Sequence, residues 1–446
     1  MRGASSRLAG DAGSICRIES GRAVLNGLPI AIVGAGTAGL ATAIFLARQG
    51  HAVRLLERVE RLQPVGAGIL LQPSGLAVLQ RLGLLAECTA LGAPVSRLYG
   101  TSCQGRVILD TRYHDWQPGS FGLGIHRGVL MTALLNAAQR AGVQVETGVN
   151  VSRFEQASGH IRLLSQDQPL GDFAALILAD GTRSALRAQM PVRQWSRPYP
   201  WGALWSMLPT AASTETGELR QWYRGCREMF GLMPTGSTHQ ARDLPLTSLF
   251  WSLPLSEHEA WRQAGLDAWK TRVRRLAGEA AEAYLQRIDD PQQLTLAAYA
   301  DVRMQRWHAG RVLAIGDCAH AMSPQLGQGA NMALVDAAAL ADALGEAADA
   351  TQQTLDWNAT FTRYGDARRD HLRYYRQASR LLTPLFQSHS NTLAVLRDIA
   401  LTLARHNRFG RQHAVSTLVG ARSGWLWPGT QKRELHAWKG EREAWE

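Results

Sequence analysis

Ile30-Ala31-Ile32-Val33-Gly34-Ala35-Gly36-Thr37-Ala38-Gly39 decides the reading, because four consecutive apolar residues run directly into a Gly-x-Gly-x-x-Gly turn. A strand without polar alternation is one covered on both faces, as in a parallel sheet flanked by helices. The apolar-periodic stretch Leu40 to Gln49 predicts the helix that follows. In that setting Gly34 permits a tight turn, Gly36 lets the backbone approach a pyrophosphate, and Gly39 allows close helix–sheet packing. The phosphates then rest on the helix N-terminus, where unpaired N–H groups and the dipole favour anions. A second apolar strand, Ala52 to Leu56, ends in Glu57, 18 residues after Gly39. That is the expected place for a carboxylate accepting ribose hydroxyl hydrogen bonds. A lone glycine turn beside a surface glutamate would mean little; strand, turn, helix and acid in register point to dinucleotide binding.

The rest of the chain is compatible with a large globular protein. It has 446 residues, 46% hydrophobic and 19% charged, enough for an extensive core and too apolar for bulk disorder. A net charge of +11 raises the question of nucleic acid. Only three of the 48 basic residues are lysine (Lys270, Lys432, Lys439), which reads as coding-composition bias, and no nucleic-acid partner is expected. Between Phe361 and Arg411 ten arginines face three aspartates, a stretch read as a solvated helical face. The five cysteines (Cys16, Cys88, Cys103, Cys226, Cys318) form no Cys-x-x-Cys pair, which argues against a disulfide framework, a zinc site or a thioredoxin-like centre, and no metal is expected. No run is long enough to span a membrane, since Asn391 to Ala404 is broken by Arg397 and Asp398. The first 28 residues lack the apolar core of a secretory signal, and the expected location is cytoplasmic.

Texture divides the chain. Residues 1–28 read as a flexible tail, and residues 29–195 with 296–345 as a discontinuous nucleotide domain. Within 196–295, short segments (Trp201 to Leu208, Leu219 to Arg224, Glu228 to Met233, Thr247 to Leu253) separated by Pro, Gly, Ser and Thr predict a mostly antiparallel sheet. Helical patterning follows from Glu257 to Arg287 and again from Ala330 to Ala414, punctuated by Pro384, so 346–446 is expected to be a helical region.

Two further segments narrow the class. Leu176-Ile177-Leu178-Ala179-Asp180-Gly181 is an apolar strand ending in Asp-Gly, with Ser184 and Arg187 behind it. Val312-Leu313-Ala314-Ile315-Gly316-Asp317-Cys318-Ala319-His320 precedes Pro324, Gly327-Gln328-Gly329-Ala330-Asn331 and Asp336. Together with the glycine turn, in this order, they resemble the single-component FAD-dependent monooxygenases of the p-hydroxybenzoate hydroxylase type, the class A aromatic hydroxylases. Gly66-Ala67-Gly68-Ile69 with Pro73, the helix from Leu79 to Leu84, and Arg127 with Leu130 and Leu134 extend the resemblance from about Pro29 to Leu344.

The resemblance implies a Rossmann-like FAD-binding domain carrying an inserted β-sheet substrate domain. It implies cofactor contacts at Gly34, Gly36, Ala38 and Gly39; at Glu57, beside Arg58, for the adenosine ribose; and at Gly68. Arg127 would reach the phosphate and ribose region, the backbone of Val151 would face the adenine, and Asp317 would take the ribityl chain. Pro324, Gly327, Gly329, Ala330 and Asn331 would line the isoalloxazine. The last role also stands on its own, since a helix beginning after Gly-Gln-Gly presents its positive end to an anionic reduced flavin. Asp180-Gly181 looks structural, His320 reads as a packed or hydrogen-bonded histidine, and Cys318 as a packing residue.

The implied chemistry is reduction of FAD by transiently bound NAD(P)H, then reaction with O2 to a C4a-hydroperoxide that hydroxylates a small aromatic or heteroaromatic substrate. A homodimer is the expected assembly. No second dinucleotide motif occurs after Gly39, and no redox Cys pair, as a disulfide-reductase-like flavoenzyme would need. No lysine precedes Lys270, against a flavin-dependent halogenase, and a flavin-free binding protein would not need Asp317 or the Gly-Gln-Gly loop. Alternation places Trp201, Ala203, Trp205 and Met207 on one strand face, and Trp205 and Tyr223 are the candidate pocket residues. The competing reading of these aromatics, with Trp222, Phe230 and Trp251, is ordinary sheet core. No catalytic acid or base is singled out. An epoxidase or hydroxylase of a lipid-like or quinone substrate at a membrane surface remains an alternative, through the Arg-rich end with Trp425, Trp427 and Trp438.

Overall fold

The computed structural model describes residues 28–62, 67–212, 214, 217–350 and 355–426. The expectation for residues 1–28, and those resting on Gly66, Trp427 and Trp438, fall almost wholly outside that range. Ile30–Val33 lies inside a six-stranded sheet between Val53–Glu57 and Ala175–Leu178, parallel to both. Gln144–Thr147 flanks it on one side, and Val312–Ala314 then His308–Ala309 on the other, the last pair antiparallel. Two-sided burial is visible residue by residue. Ile30 and Ile32 pack with Leu40, Ile44, Leu130 and Leu340 from the helices Thr37–Arg48, Arg127–Arg140 and Gly329–Ala350. Ala31 and Val33 pack on the opposite side with Ile161, Leu163 and Phe173 of a three-stranded antiparallel sheet. Each such isoleucine contributes about 1.5–3 kcal/mol relative to exposure, so the continuous apolar run commits this strand to the interior.

The expected early helix from Leu79 to Leu84 instead spans Pro73–Arg81. Pro73 fits the first turn, where no N–H is needed, and Gly83 at φ +66° follows the end. The inserted sheet has seven strands, in the order Thr295–Met304, Gln194–Pro209, Leu246–Pro254, Glu228–Gly236, Glu218–Arg224, Arg97–Ser102, Val107–Arg112. It is not confined to 196–295. The hairpin from Arg97 to Arg112 joins it by parallel pairing with Glu218–Arg224, and paired carboxylates around Arg97 (Asp110 at 2.7 Å, Glu218 at 2.8 Å) fasten that edge.

The outer face of this sheet, with Leu204, Trp222, Phe230 and Trp251, is covered by Trp261, Trp269 and Tyr284 of the helices His258–Ala277 and Glu279–Leu285. These aromatics are core. The inner face carries Trp205, Phe250 and Met233 toward Leu70 and Tyr113. The C-terminal region is helical, with Trp357–Phe386 (Pro384 inside its last turn), Asn391–His406 and Arg408–Leu418. Its arginines do not form a uniformly solvated face, because Arg368 and Arg397 are each 1% exposed. Both are accommodated by a partner: Asp336 at 2.8 Å from Arg368, and Asp398 at 2.7 Å from Arg397, whose guanidinium also donates to the carbonyls of Gly225 and Leu385.

Candidate active site

The C-terminal ends of the parallel strands bring the sequence motifs to one edge. Gly34 turns the chain at φ +105°, and a Cβ there would lie 2.5 Å from the Ala179 carbonyl oxygen. A Cβ on Gly39 would overlap the Gly34 carbonyl, whereas one on Gly36 would meet nothing within 4 Å. Gly36 therefore borders open space at the N-cap of Thr37–Arg48, a helix with no side-chain cap and no acidic residue in its first turn. Its first amides are left for an external anion. Ala38 packs behind the turn. Glu57 is tied to the same loop, its Oε2 accepting from the Ala35 N–H at 2.8 Å and its Oε1 from the Val59 N–H at 3.1 Å. A carboxylate has about four acceptor sites, so two bonds leave capacity for ribose hydroxyls. Arg58 is exposed beside it, and Val151 is buried under the sheet with Val33 and Leu56.

Asp317 lies at the end of Val312–Ala314, just past Gly316 (φ +57°). Its side chain opens into the cleft, yet protein surrounds it closely enough that burial raises its pKa, with His320 and Arg127 acting in opposition. Arg127 itself is exposed at the first position of Arg127–Arg140, near enough for its charge to act on Asp317. Asp180 is also buried, which raises its pKa, and its Oδ1 has no hydrogen-bond partner among the described residues. Behind it, buried Arg187 donates to the Cys318 carbonyl and to Gln194, bracing two strand ends against the start of the inserted sheet. Cys318 is fully buried, as a packing residue should be.

The loop after Asp317 carries Pro324, then Gly327 at φ +60°, and Gly329 opens the helix Gly329–Ala350 toward the cleft. The Asn331 side chain is consumed structurally: Oδ1 accepts from the Gln72 N–H at 2.8 Å, and Nδ2 donates to the carbonyls of Leu70 and Gly327. What this turn can offer a ligand is its backbone, the first-turn N–H groups of Gly329, Ala330 and Asn331. Gly68 joins the roof to the floor, its N–H donating to Ser248 Oγ at 2.9 Å, and a Cβ there would run into Ser248 and Thr235.

Beneath the loop lies a buried ionic cluster. Asp336 accepts from the Gly316 N–H, lies 2.6 Å from His320 Nε2, and takes Arg368 Nε at 2.8 Å. Burial alone would raise its pKa, but His320 and Arg368 outweigh that and hold the carboxyl well below the usual range. Arg368 in turn contacts His371, whose Nε2 is 2.9 Å from the Gly420 carbonyl. The motif that carries Asp317 is thus clamped to the C-terminal helices. Asp336 stood within the quoted motif, but Arg368 and His371 were not foreseen. Their signal was the spacing of Tyr364, Arg368, His371 and Tyr375, which puts two polar residues on a single aromatic helix face.

On the substrate side, Trp205 is half-buried on the inner face, its ring 4.9 Å from Phe250 and its Nε1 donating to the Tyr299 hydroxyl at 3.3 Å. Tyr223 is placed differently. It is buried between Phe386 and Arg397 with its hydroxyl donating to Gln221, and burial raises its pKa. It serves the contact between the sheet and the C-terminal helices. Among the described residues no group of His, Cys, Asp or Glu forms a metal-holding cluster.

The residues present fit FAD: an uncapped helix beside an open glycine, a glutamate after the second strand with acceptor capacity to spare, an exposed Asp317 and a second helix start with first-turn amides. A family model for FAD-binding domains matches residues 28–371. A 3-amino-4-hydroxybenzoate 2-monooxygenase of Streptomyces cremeus is 31% identical over 340 residues, 73% of this chain and 81% of the relative. A putative 2-heptyl-3-hydroxy-4(1H)-quinolone synthase of Rhodococcus erythropolis is 30% identical over 339 residues, 74% and 82% of the two chains. Among solved structures, Klebsiella pneumoniae HpxO with FAD and uric acid superposes with a TM-score of 0.73 at 22% identity, covering 88% of this chain and 97% of that one. Pseudomonas aeruginosa PqsL with 2-aminobenzoylacetate gives 0.71 at 21% identity, covering 83% and 99%.

Proposed function

The chain belongs to the class A FAD-dependent aromatic hydroxylases, and from that premise we propose that it hydroxylates an electron-rich aromatic or nitrogen-heteroaromatic ring with NAD(P)H and O2. The observation that carries the reading is the convergence of the Gly36 turn, Asp317 and the Gly329 helix start at one sheet edge beneath the inserted sheet. The relatives named for quinolone and aminohydroxybenzoate chemistry support the substrate class. When bound, FAD supplies electron transfer from NAD(P)H and activation of O2.

The chain's own residues bind and orient. The open amides after Gly36 hold the pyrophosphate and Glu57 the ribose, while Arg127 reaches the phosphate region and Asp317 the ribityl hydroxyls. The amides of Gly329 to Asn331 would hold the polar edge of the ring, and the positive end of their helix would favour added negative charge there. Trp205 and Phe250 form an apolar wall that orients a flat ring and keeps water from the reacting centre. We assign the nucleotide domain to 29–195 with 296–345, the strand hairpin at 97–112 serving the roof. The test is the absorption spectrum of the purified protein, followed by NAD(P)H oxidation in air with phenols, pyridines and quinolones. An oxidised-flavin spectrum with oxidation accelerated by one compound is expected. A protein that is colourless and refuses added FAD would overturn the assignment.

A further inference from the structure

The helix Asn391–His406 packs inward by one face and carries apolar residues on the opposite one. Ala394 and Arg397 turn inward, where the helix lies along the strand Val107–Arg112. Successive residues rotate by about 100°, so Val395, Leu396, Ile399 and Leu403 fall in one sector facing away from that contact. They are 59, 54, 52 and 67% exposed, and Phe409 in the next helix is 84% exposed. Single exposed aliphatics are ordinary, but a row along one helix face marks a contact surface. Within this sector lie also Thr392, which is uncharged, and His406 at the C-terminal end of the helix.

At the C-terminal end of this helix, on the side of the strand Val107–Arg112, opens a cleft of about 300 Å³ bordered by Arg112, Arg405, Arg411, His114 and His406. Its carboxylates are engaged, Asp110 by paired bonds from Arg97 at 2.7 and 2.9 Å and by Arg112 of the cleft at 3.5 Å, and Asp115 by His114 of the cleft at 3.1 Å. Asp398, the one acid of the outer helix, is held by buried Arg397. Arg405 and Arg411 have no carboxylate partner among the described residues, and the buried Nε of Arg405 has no hydrogen bond there.

We propose that this face docks on an anionic phospholipid surface. Ile399, Leu403 and Phe409 enter the boundary between headgroups and acyl chains, while Arg405, Arg408 and Arg411 meet lipid phosphates and the cleft receives one of them. The pairing of an apolar helix face with a cationic flank is the arrangement that binds such a surface. A two-fold pair of this chain would instead gather the arginines of both copies into one interface. The proposal is independent of the redox chemistry and would stand or fall without it.

The test is co-sedimentation of the full-length flavin-loaded protein with vesicles of phosphatidylcholine alone or mixed equally with phosphatidylglycerol. Binding is expected to the mixed vesicles, with release by salt. The combined substitution Ile399→Ser, Leu403→Ser and Phe409→Ser should weaken it more than about tenfold. Independently, Arg405→Gln, Arg408→Gln and Arg411→Gln should weaken it about fivefold per charge removed. The bound-flavin spectrum and the melting temperature of these variants should match those of the parent. No binding to mixed vesicles, equal binding to neutral ones, or full binding by both variants would overturn the proposal. So would saturable binding of inorganic phosphate without vesicle binding, or a dimer that the serine variant dissociates in the absence of any vesicle binding.

Discussion

Gly36→Ala separates the two roles of the glycine turn. In the protein alone the substitution meets no atom within 4 Å, and Gly36 sits at φ −78°, ψ −175°, a conformation alanine adopts freely. Stability without cofactor should therefore stay within about 1 kcal/mol, since the narrower unfolded ensemble of alanine offsets its poorer fit at a helix N-cap. FAD affinity should fall, because the new methyl group stands where a phosphate oxygen must approach the backbone. Losing one charge-assisted hydrogen bond costs about 1.5–3 kcal/mol, which corresponds to a Kd increase of roughly tenfold to a hundredfold. Gly39→Ala is the counterpart: its Cβ overlaps the Gly34 carbonyl, so the protein itself should lose about 1–3 kcal/mol through forced displacement of helix from strand. Thermal unfolding of the apoprotein and a flavin-fluorescence titration read the two quantities separately. Wild-type FAD affinity in Gly36→Ala, or equal destabilisation by both substitutions, would refute the assignment of the open glycine to the pyrophosphate.

Three other consequences follow from the buried cluster and the roof. Arg368→Met leaves Asp336 charged and buried without its permanently charged partner, and urea unfolding should show a loss of about 3–5 kcal/mol. His371 is held neutral, first by burial and then by Arg368, so its folded pKa lies well below its ordinary value. The unfolded chain therefore takes up a proton below pH ~6.5 that the folded one refuses, and stability should fall by about 1.4 kcal/mol per pH unit as the pH drops from there. His371→Gln should flatten that slope in urea titrations between neutral and mildly acidic pH, and an unchanged slope would place the proton elsewhere. Trp205→Ala should raise KM for the aromatic substrate roughly twofold to tenfold, the worth of one aromatic contact, with FAD affinity unchanged in the same preparation.

The nucleotide half was legible because its signals are local. A continuous apolar strand, glycines with fixed steric duties and a carboxylate at a set distance each follow from backbone geometry, and Ile30–Val33, Val53–Glu57 and Gly329–Ala350 lie where the pattern puts them. The strands of the inserted sheet were legible for the same reason, since turn residues bracket them. Long-range consequences were not. Nothing between Arg97 and Arg112 announces that this hairpin pairs with Glu218–Arg224, because parallel pairing leaves no mark in either strand's own sequence. Ten arginines in one stretch conceal two that are buried, and only the partner side chains Asp336 and Asp398 distinguish them. Tyr223 and Trp205 look equivalent as aromatic strand residues, yet Tyr223 is covered by Phe386 from a helix about 160 residues later, a contact no strand pattern encodes.

The central claim is insertion of one oxygen atom from O2 into an aromatic ring. Mass spectrometry of the product formed by the purified enzyme with NAD(P)H under isotopically heavy dioxygen tests it most directly, using the compound that accelerates NAD(P)H oxidation. A hydroxylated product carrying one heavy oxygen atom is expected, with none acquired from labelled water. Oxygen derived from water, or NAD(P)H consumed with hydrogen peroxide as the sole oxygen product across the aromatic panel, would contradict it.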